Sequence, residues 1–98
     1  MDYQVILSAS ARADLRNIVR YISLDAPDRA LRFGMFLISR TRLLAHSPQL
    51  GRVVPELGSL REIIIQSYRV VYRVDDRNSS VQVIRFWHAA RGVPEMDR

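Results

Sequence analysis

Residues 60–91, LREIIIQSYRVVYRVDDRNSSVQVIRFWHAAR, contain three short runs rich in Ile, Val, Tyr and Phe. Polar breaks at Gln66-Ser67 and across 75–80 divide them. β-branched and aromatic runs of this length, closed by turn-forming residues, predict a three-stranded antiparallel meander. The pairing of its second hairpin follows from keeping apolar and polar side chains on separate faces. With Tyr72 opposite Ile84, Val70 meets Phe86, Val74 meets Gln82, and Arg77-Asn78-Ser79 is left as a loop in which Asn78 takes the left-handed conformation. A one-residue slip sets Val70 against Arg85 and mixes both faces. One face then carries Val70, Tyr72, Val74, Ile84 and Phe86. The other carries Arg69, Val71, Arg73, Val83, Arg85 and Trp87. A turn at Gln66-Ser67 pairs Ile65 with Tyr68 and Ile63 with Val70, and adds Glu62 and Ile64 to the arginine face.

That second face is the informative one. Ile64, Val71, Val83 and Trp87 form an apolar strip bordered by Arg69, Arg73 and Arg85. A fully solvated face has little reason to carry a Trp and three aliphatics. Either a macromolecular partner docks on it, or the chain's own C-terminal residues cover it.

Ahead of the meander, residues 3–7 read as a first strand and Ser8 as a helix N-cap. Ala11, Leu15, Ile18, Val19 and Ile22 then make one helical stripe, with Arg12, Arg16, Asn17 and Arg20 facing away. Asp25-Ala26-Pro27 ends this helix, and Pro27 suits the first position of the next. The second helix is predicted over 27–45, with Ala30, Phe33, Leu37, Thr41 and Leu44 on one stripe, widened by Leu31, Met35 and Ile38. Gly34 permits a close approach to the first helix. The short break makes the pair an antiparallel hairpin, whose apolar face belongs on the greasy side of the sheet. Residues 49–59 read as an irregular connector with a short extended piece at Val53-Val54, and residues 89–98 as a loose tail. The predicted fold is α+β, β-α-α-β-β-β. A helix hairpin packs on one face of a four-stranded, mainly antiparallel sheet, with the first strand beside the last.

Composition narrows the function classes. Ninety-eight residues make one domain, 1–98, with one modest core. The absence of cysteine removes disulfides, thiolate chemistry and cysteine-based metal sites, and two isolated histidines make no metal cluster. No cofactor and no metal are expected. There is no apolar run near the ~18 residues a membrane span needs, and MDYQVILSAS carries no basic leader or long apolar run, so the expectation is a cytoplasmic protein. The net charge is +5, and the fifteen basic residues are all arginine. Guanidinium groups pair bidentately with phosphates and carboxylates, so a nucleic acid or an acidic protein is the partner class.

VILSASARADLRNIVRYI, LLAHSPQLGRVVPELGSLRE, YRVVYRVDD and VQVIRFWHAAR, in that order and spacing, resemble the RelE/ParE superfamily of bacterial type II toxin–antitoxin toxins over nearly the whole chain. The resemblance implies a small toxin neutralised by a cognate antitoxin (ParD-like or RelB-like), with a segment that folds on binding. Two toxins and two antitoxins make the simplest hetero-oligomer it suggests. RelE-like members cut mRNA at the ribosome, and ParE-like members poison DNA gyrase. The closing pattern V-x-V-I-x-x-x-H-A-A-R is closer to the ParE and plasmid-stabilisation branch.

Carried over residue by residue, Arg69 matches a phosphate-contacting arginine of RelE-like nucleases, and Arg61 sits about where they place a lysine. His88 matches the position of a catalytic base or acid, and Arg91 that of another cation. Ile63 and Ile64 stand where strong nucleases are basic, and no tyrosine follows Arg91. Three readings result: a gyrase poison without a hydrolytic site, a ribosome-dependent endoribonuclease using Arg61, Arg69, His88 and Arg91, or an inert relative that keeps antitoxin binding. In each, Ile64, Arg69, Val71, Arg73, Val83, Arg85 and Trp87 are the expected docking surface.

Overall fold

In the computed structural model, which describes residues 2–96, the chain runs β1 (Gln4–Leu7), α1 (Ala9–Ser23), α2 (Pro27–Thr41), β2 (Arg52–Val53), β3 (Arg61–Ile65), β4 (Tyr68–Asp75) and β5 (Ser80–His88). The strands lie in the order β1-β5-β4-β3-β2. β1 is parallel to β5, and the other pairs are antiparallel. The meander and the place of β1 agree with the sequence reading. The sheet is larger than the four strands expected, because Arg52-Val53 pairs with Glu62 and Arg61 as a fifth.

The helices form for local reasons and are held by specific anchors. The Ser8 hydroxyl accepts the Ala11 N–H at 3.0 Å and donates to the Ile84 carbonyl at 3.0 Å. One side chain thus caps α1 and ties it to the sheet. Pro27 opens α2, where its missing N–H costs nothing. The α-helix ends at Thr41, whose hydroxyl bonds the Leu37 carbonyl, and residues 42–45 tighten into a 3₁₀ turn instead of continuing to Ala45 as α-helix. At Gly34 a Cβ would lie 2.8 Å from Val19 Cγ2, so glycine sets the distance between the helices. Leu31 and Met35, read as part of the buried stripe, are 63% exposed. The buried line on α2 runs through Ala30, Gly34, Leu37 and Thr41, which turns those two outward.

Beneath the helices, Ala11, Ile18, Leu37, Leu44, Ile65, Val70, Tyr72, Val81, Val83 and Phe86 form the core. Here the second hairpin departs from its expected register. Val70 does face Phe86, but Tyr72 faces Val83 and Val74 faces Val81, with a bulge that leaves Ile84 as the extra residue of β5. The bulge moves Val83 from the arginine face to the core and sends Gln82 the other way, where it accepts from Arg73. It also lengthens the loop to residues 76–79, with Ser79 rather than Asn78 at positive φ (49°). Asn78 instead donates to the Asp75 carboxylate through its backbone and side chain, and these bonds hold the Asp75 carboxyl below its ordinary pKa. Two buried Val side chains under the helices outweigh the simpler pairing. The Ile84 carbonyl left over at the bulge is satisfied by Ser8.

Candidate functional site

The face of the sheet away from the helices is built around an acid that the sequence gives little reason to notice. Glu62 is 3% exposed in β3. Arg69 Nε donates to its Oε1 at 2.5 Å, and Arg52 donates to Oε2 through Nε at 3.0 Å and Nη2 at 2.7 Å. Arg69 Nη1 also donates to the Gly92 carbonyl at 2.8 Å. Next to it, Arg85 makes a two-point pair with Asp14 of α1, Nε at 2.7 Å and Nη2 at 2.8 Å, and donates to the Glu95 carbonyl at 2.7 Å. Asp14 further accepts the Phe86 N–H at 3.0 Å, at the stretch of β5 edge that β1 does not reach. The Arg85 and Arg91 guanidinium carbons lie 4.9 and 3.8 Å from the Trp87 ring centroid. Arg69 faces Trp87 across the ladder, but its charge goes to Glu62.

Residues 92–96 therefore lie across this face as a strap. Two arginines grip their carbonyls, and Pro94 is buried. That corrects the loose tail expected for 89–98, of which residues 97 and 98 lie outside the described residues. It also reassigns the expected docking surface. Val83 is in the core, Val71 and Trp87 are 0% and 2% exposed, and Arg69 and Arg85 are committed to ion pairs; only Ile64 (58%) and Arg73 are exposed. The Trp87 indole N–H is buried without a partner among the described residues. Ending the chain at Arg91 is expected to uncover this ring, shifting the emission of the only tryptophan to the red and raising its quenching by iodide. Unchanged emission would mean that the strap does not shield it.

The four residues matched to nuclease positions are not brought together. Arg61 donates to the Gly51 carbonyl at 2.7 Å and pairs with Tyr72, whereas His88 pairs with Tyr68 at the other end of β4. Four strand residues separate those ends, about 13 Å. His88 Nδ1 accepts the Ala90 N–H at 3.1 Å, which leaves the ring proton on Nε2. Tyr68 meets the imidazole edge-on at 5.1 Å. Open clefts of about 370 and 490 Å³ flank this pair, one reaching Arg29 and Phe33 and the other Tyr21 and Arg91. The Tyr68 phenol is pushed above its ordinary pKa, first by burial and then by Tyr21, so it stays protonated at neutral pH and offers no general base. Among the described residues, no three His, Cys, Asp or Glu side chains converge to hold a metal, and no helix is long and apolar enough to cross a membrane.

A second feature escaped the sequence reading. β2 pairs with β3 only at Arg61 and Glu62, so Ile63–Ile65 have no neighbour on that side among the described residues. A groove of about 460 Å³ runs along this edge, lined by Phe36, Leu43, Leu50 and Ile64 with Arg40 and Arg52 at its rim. The signal was Phe36 and Leu43, large apolar residues off the buried stripe of the second helix. Asp14 had a signal too. Three residues after Ala11 and four before Ile18, it lies on the flank of the buried stripe, where an acid needs a partner.

The chain is thus a small α+β domain with one strapped sheet face and a strand edge left open beside β3. A sequence model for the family described as "ParE toxin of type II toxin-antitoxin system, parDE" matches residues 5–93. Toxin RelE2 of Caulobacter vibrioides is 35% identical over 89 residues, which cover 90% of this chain and 97% of the relative. The chain belongs to the RelE/ParE superfamily of type II toxin–antitoxin toxins. Solved structures agree on the fold. A chromosomal ParDE system from P. aeruginosa superposes with a TM-score of 0.78 at 19% identity, covering 88% of this chain and 95% of that one. The RelBE2 toxin–antitoxin complex of Mycobacterium tuberculosis gives 0.66 at 25%, covering 90% and 99%. A mutant of the E. coli toxin RelE in the free state gives 0.67 at 20%, covering 94% and 88%.

Proposed function

We propose that this toxin is ParE-like, that it arrests growth in the cytoplasm by poisoning DNA gyrase, and that it performs no hydrolysis itself. The observation that carries this reading is the state of Arg69. A nuclease needs that guanidinium to stabilise negative charge gathering on a phosphate, and here Glu62 neutralises it under the strap. Arg61, held at Gly51, pairs with one end of β4 and His88 with the other, and this separation of the residues in the ribosome-dependent endoribonuclease reading supports the proposal as well.

The cognate antitoxin fits the groove beside β3. An extended segment there adds a strand to Ile63–Ile65, sets apolar side chains against Phe36, Leu43 and Leu50, and faces Arg40 and Arg52 with acids. Induction in cells lacking the antitoxin is the deciding experiment. Filamentation, DNA damage and loss of supercoiling by purified gyrase are expected. Rapid translation arrest with mRNA cut in codon register would replace this reading with the endoribonuclease. A folded protein that leaves growth untouched would be the inert relative, kept for antitoxin binding. His88→Ala is expected to remain fully toxic, and a non-toxic, folded His88→Ala variant would return His88 to a chemical role.

A further inference from the structure

The arginines of this chain divide into two populations, and the division is not the one their sequence positions suggest. Those on the sheet are engaged. Arg52 and Arg69 hold Glu62, Arg61 holds the Gly51 carbonyl, Arg73 holds Gln82, Arg85 holds Asp14, and Arg91 lies on Trp87. Those on the helical layer are not. Arg12, Arg16, Arg20, Arg29, Arg32 and Arg42 are all exposed, and none has an ion pair or hydrogen-bonded side chain among the described residues. The acids of this layer are Asp14, turned away to Arg85, and Asp25 and Asp28 at the hairpin bend. Arg40 on α2 lies over Phe36, and Arg77 in the β4–β5 loop is exposed, so most, though not all, of the arginines without a side-chain partner among the described residues are on the outside of the helices.

Within that layer, Arg12, Arg16 and Arg20 make a row on α1 at four-residue spacing, with Asn17 and Ala13 beside them. Four residues of helix advance about 6 Å and turn about 40° past a full turn, so the row is an inclined ridge about 12 Å long. No acid interrupts it, and guanidinium groups grip phosphate oxygens through paired N–H donors. α2 is different, for its outward side shows Leu31, Met35 and Phe36, the surface of a protein contact. We infer that the Arg12–Arg16–Arg20 row of α1 is a docking site for the phosphate backbone of duplex DNA, separate from the β3 groove. The phosphate chemistry comes from the row itself. The choice of DNA over RNA rests on the gyrase reading, in which the toxin acts at a DNA-bound target.

The test uses the full chain and two charge-matched variants, R16Q/R20Q in the row and R73Q/R77Q on β4 and the loop that follows it. Binding of a fluorescent DNA duplex is followed by anisotropy over a salt series. Removing one phosphate-binding cation lowers the slope of log K against log salt by about 0.9, so R16Q/R20Q is expected to flatten it by roughly 2 and R73Q/R77Q to leave it near wild type. Equal slopes for the two variants would mean that only net charge acts, and would overturn the inference. So would preference for duplex RNA, or binding of polyglutamate in place of DNA. Gyrase inhibition, measured on wild type in parallel, keeps the two claims apart. Inhibition without DNA binding by the row removes this inference alone, and DNA binding through the row without inhibition removes the gyrase reading alone.

Discussion

Glu62→Ala is expected to lower the free energy of unfolding by about 3–5 kcal/mol, seen as a large fall in the urea midpoint at unchanged slope. The reason is the charge left behind. The Arg69 side chain is 12% exposed and the Glu62 side chain 2%, so removing the acid strands a guanidinium in a place that water reaches poorly. Arg52 adds little to this, because its side chain is 64% exposed and its pairing is screened. A double substitution supplies the control. Replacing Glu62 and Arg69 together by Met removes the pair without stranding either charge, and is expected to recover most of the stability. A single substitution costing less than about 1 kcal/mol would show that the pair opens readily to solvent.

Gly51→Ala should cost about 3 kcal/mol, at the upper end of overpacking effects. A Cβ at this position would lie 2.5 Å from the Glu62 carbonyl oxygen and 2.6 Å from the Tyr72 hydroxyl. Neither neighbour has room to yield. The first is backbone in a paired strand, and the second is a buried phenol that donates to the Pro48 carbonyl and accepts the Gly51 N–H, both at 2.8 Å. Burial raises the pKa of that phenol above its ordinary value, which keeps the donated proton in place at neutral pH. Another glycine calibrates the result. Gly58→Ala meets nothing within 4 Å but must hold φ at 73°. It is expected to cost about 1 kcal/mol, from backbone strain alone. A thermal-denaturation series placing Gly51→Ala level with Gly58→Ala would remove the connector from the structural anchors of the fold.

The division between engaged and free arginines bears on how such a toxin is built. A basic domain has surplus charge, and in this one the surplus on the sheet is tied into structure while that on the helices is left free. The strap explains the difference. Folding residues 92–96 across this face brings backbone carbonyls within reach of Arg69 and Arg85, and a carbonyl can be buried against a guanidinium where a solvated loop would leave both exposed.

Much of the site's setting was legible from residue order. The two faces of the meander, the Ser8 cap, the close approach at Gly34 and the position of β1 beside β5 all follow from periodicity and capping chemistry. What failed did so for identifiable reasons. A bulge costs one unpaired residue, and no pattern in VQVIRFW announces that Ile84 will be that residue. The strap is short and punctuated by Gly and Pro, so its composition reads as tail; that C-terminal residues cover this face was one of two open readings, and the arginines beneath are what give them a place to bind.

Alternation and helical spacing belong to the chain itself, and they determined which elements form, which sides are greasy and what family the order of pieces resembles. Whether a given cation is free or consumed was decided by the tertiary structure, because the acids and carbonyls that consume it arrive from segments far away in sequence. Asp14 reaches Arg85 across 71 residues, and Gly92 reaches Arg69 across 23. Charge neutralisation depends on distances of a few ångströms that only folding sets, and so the surface left for function could not be read from the positions of the arginines alone.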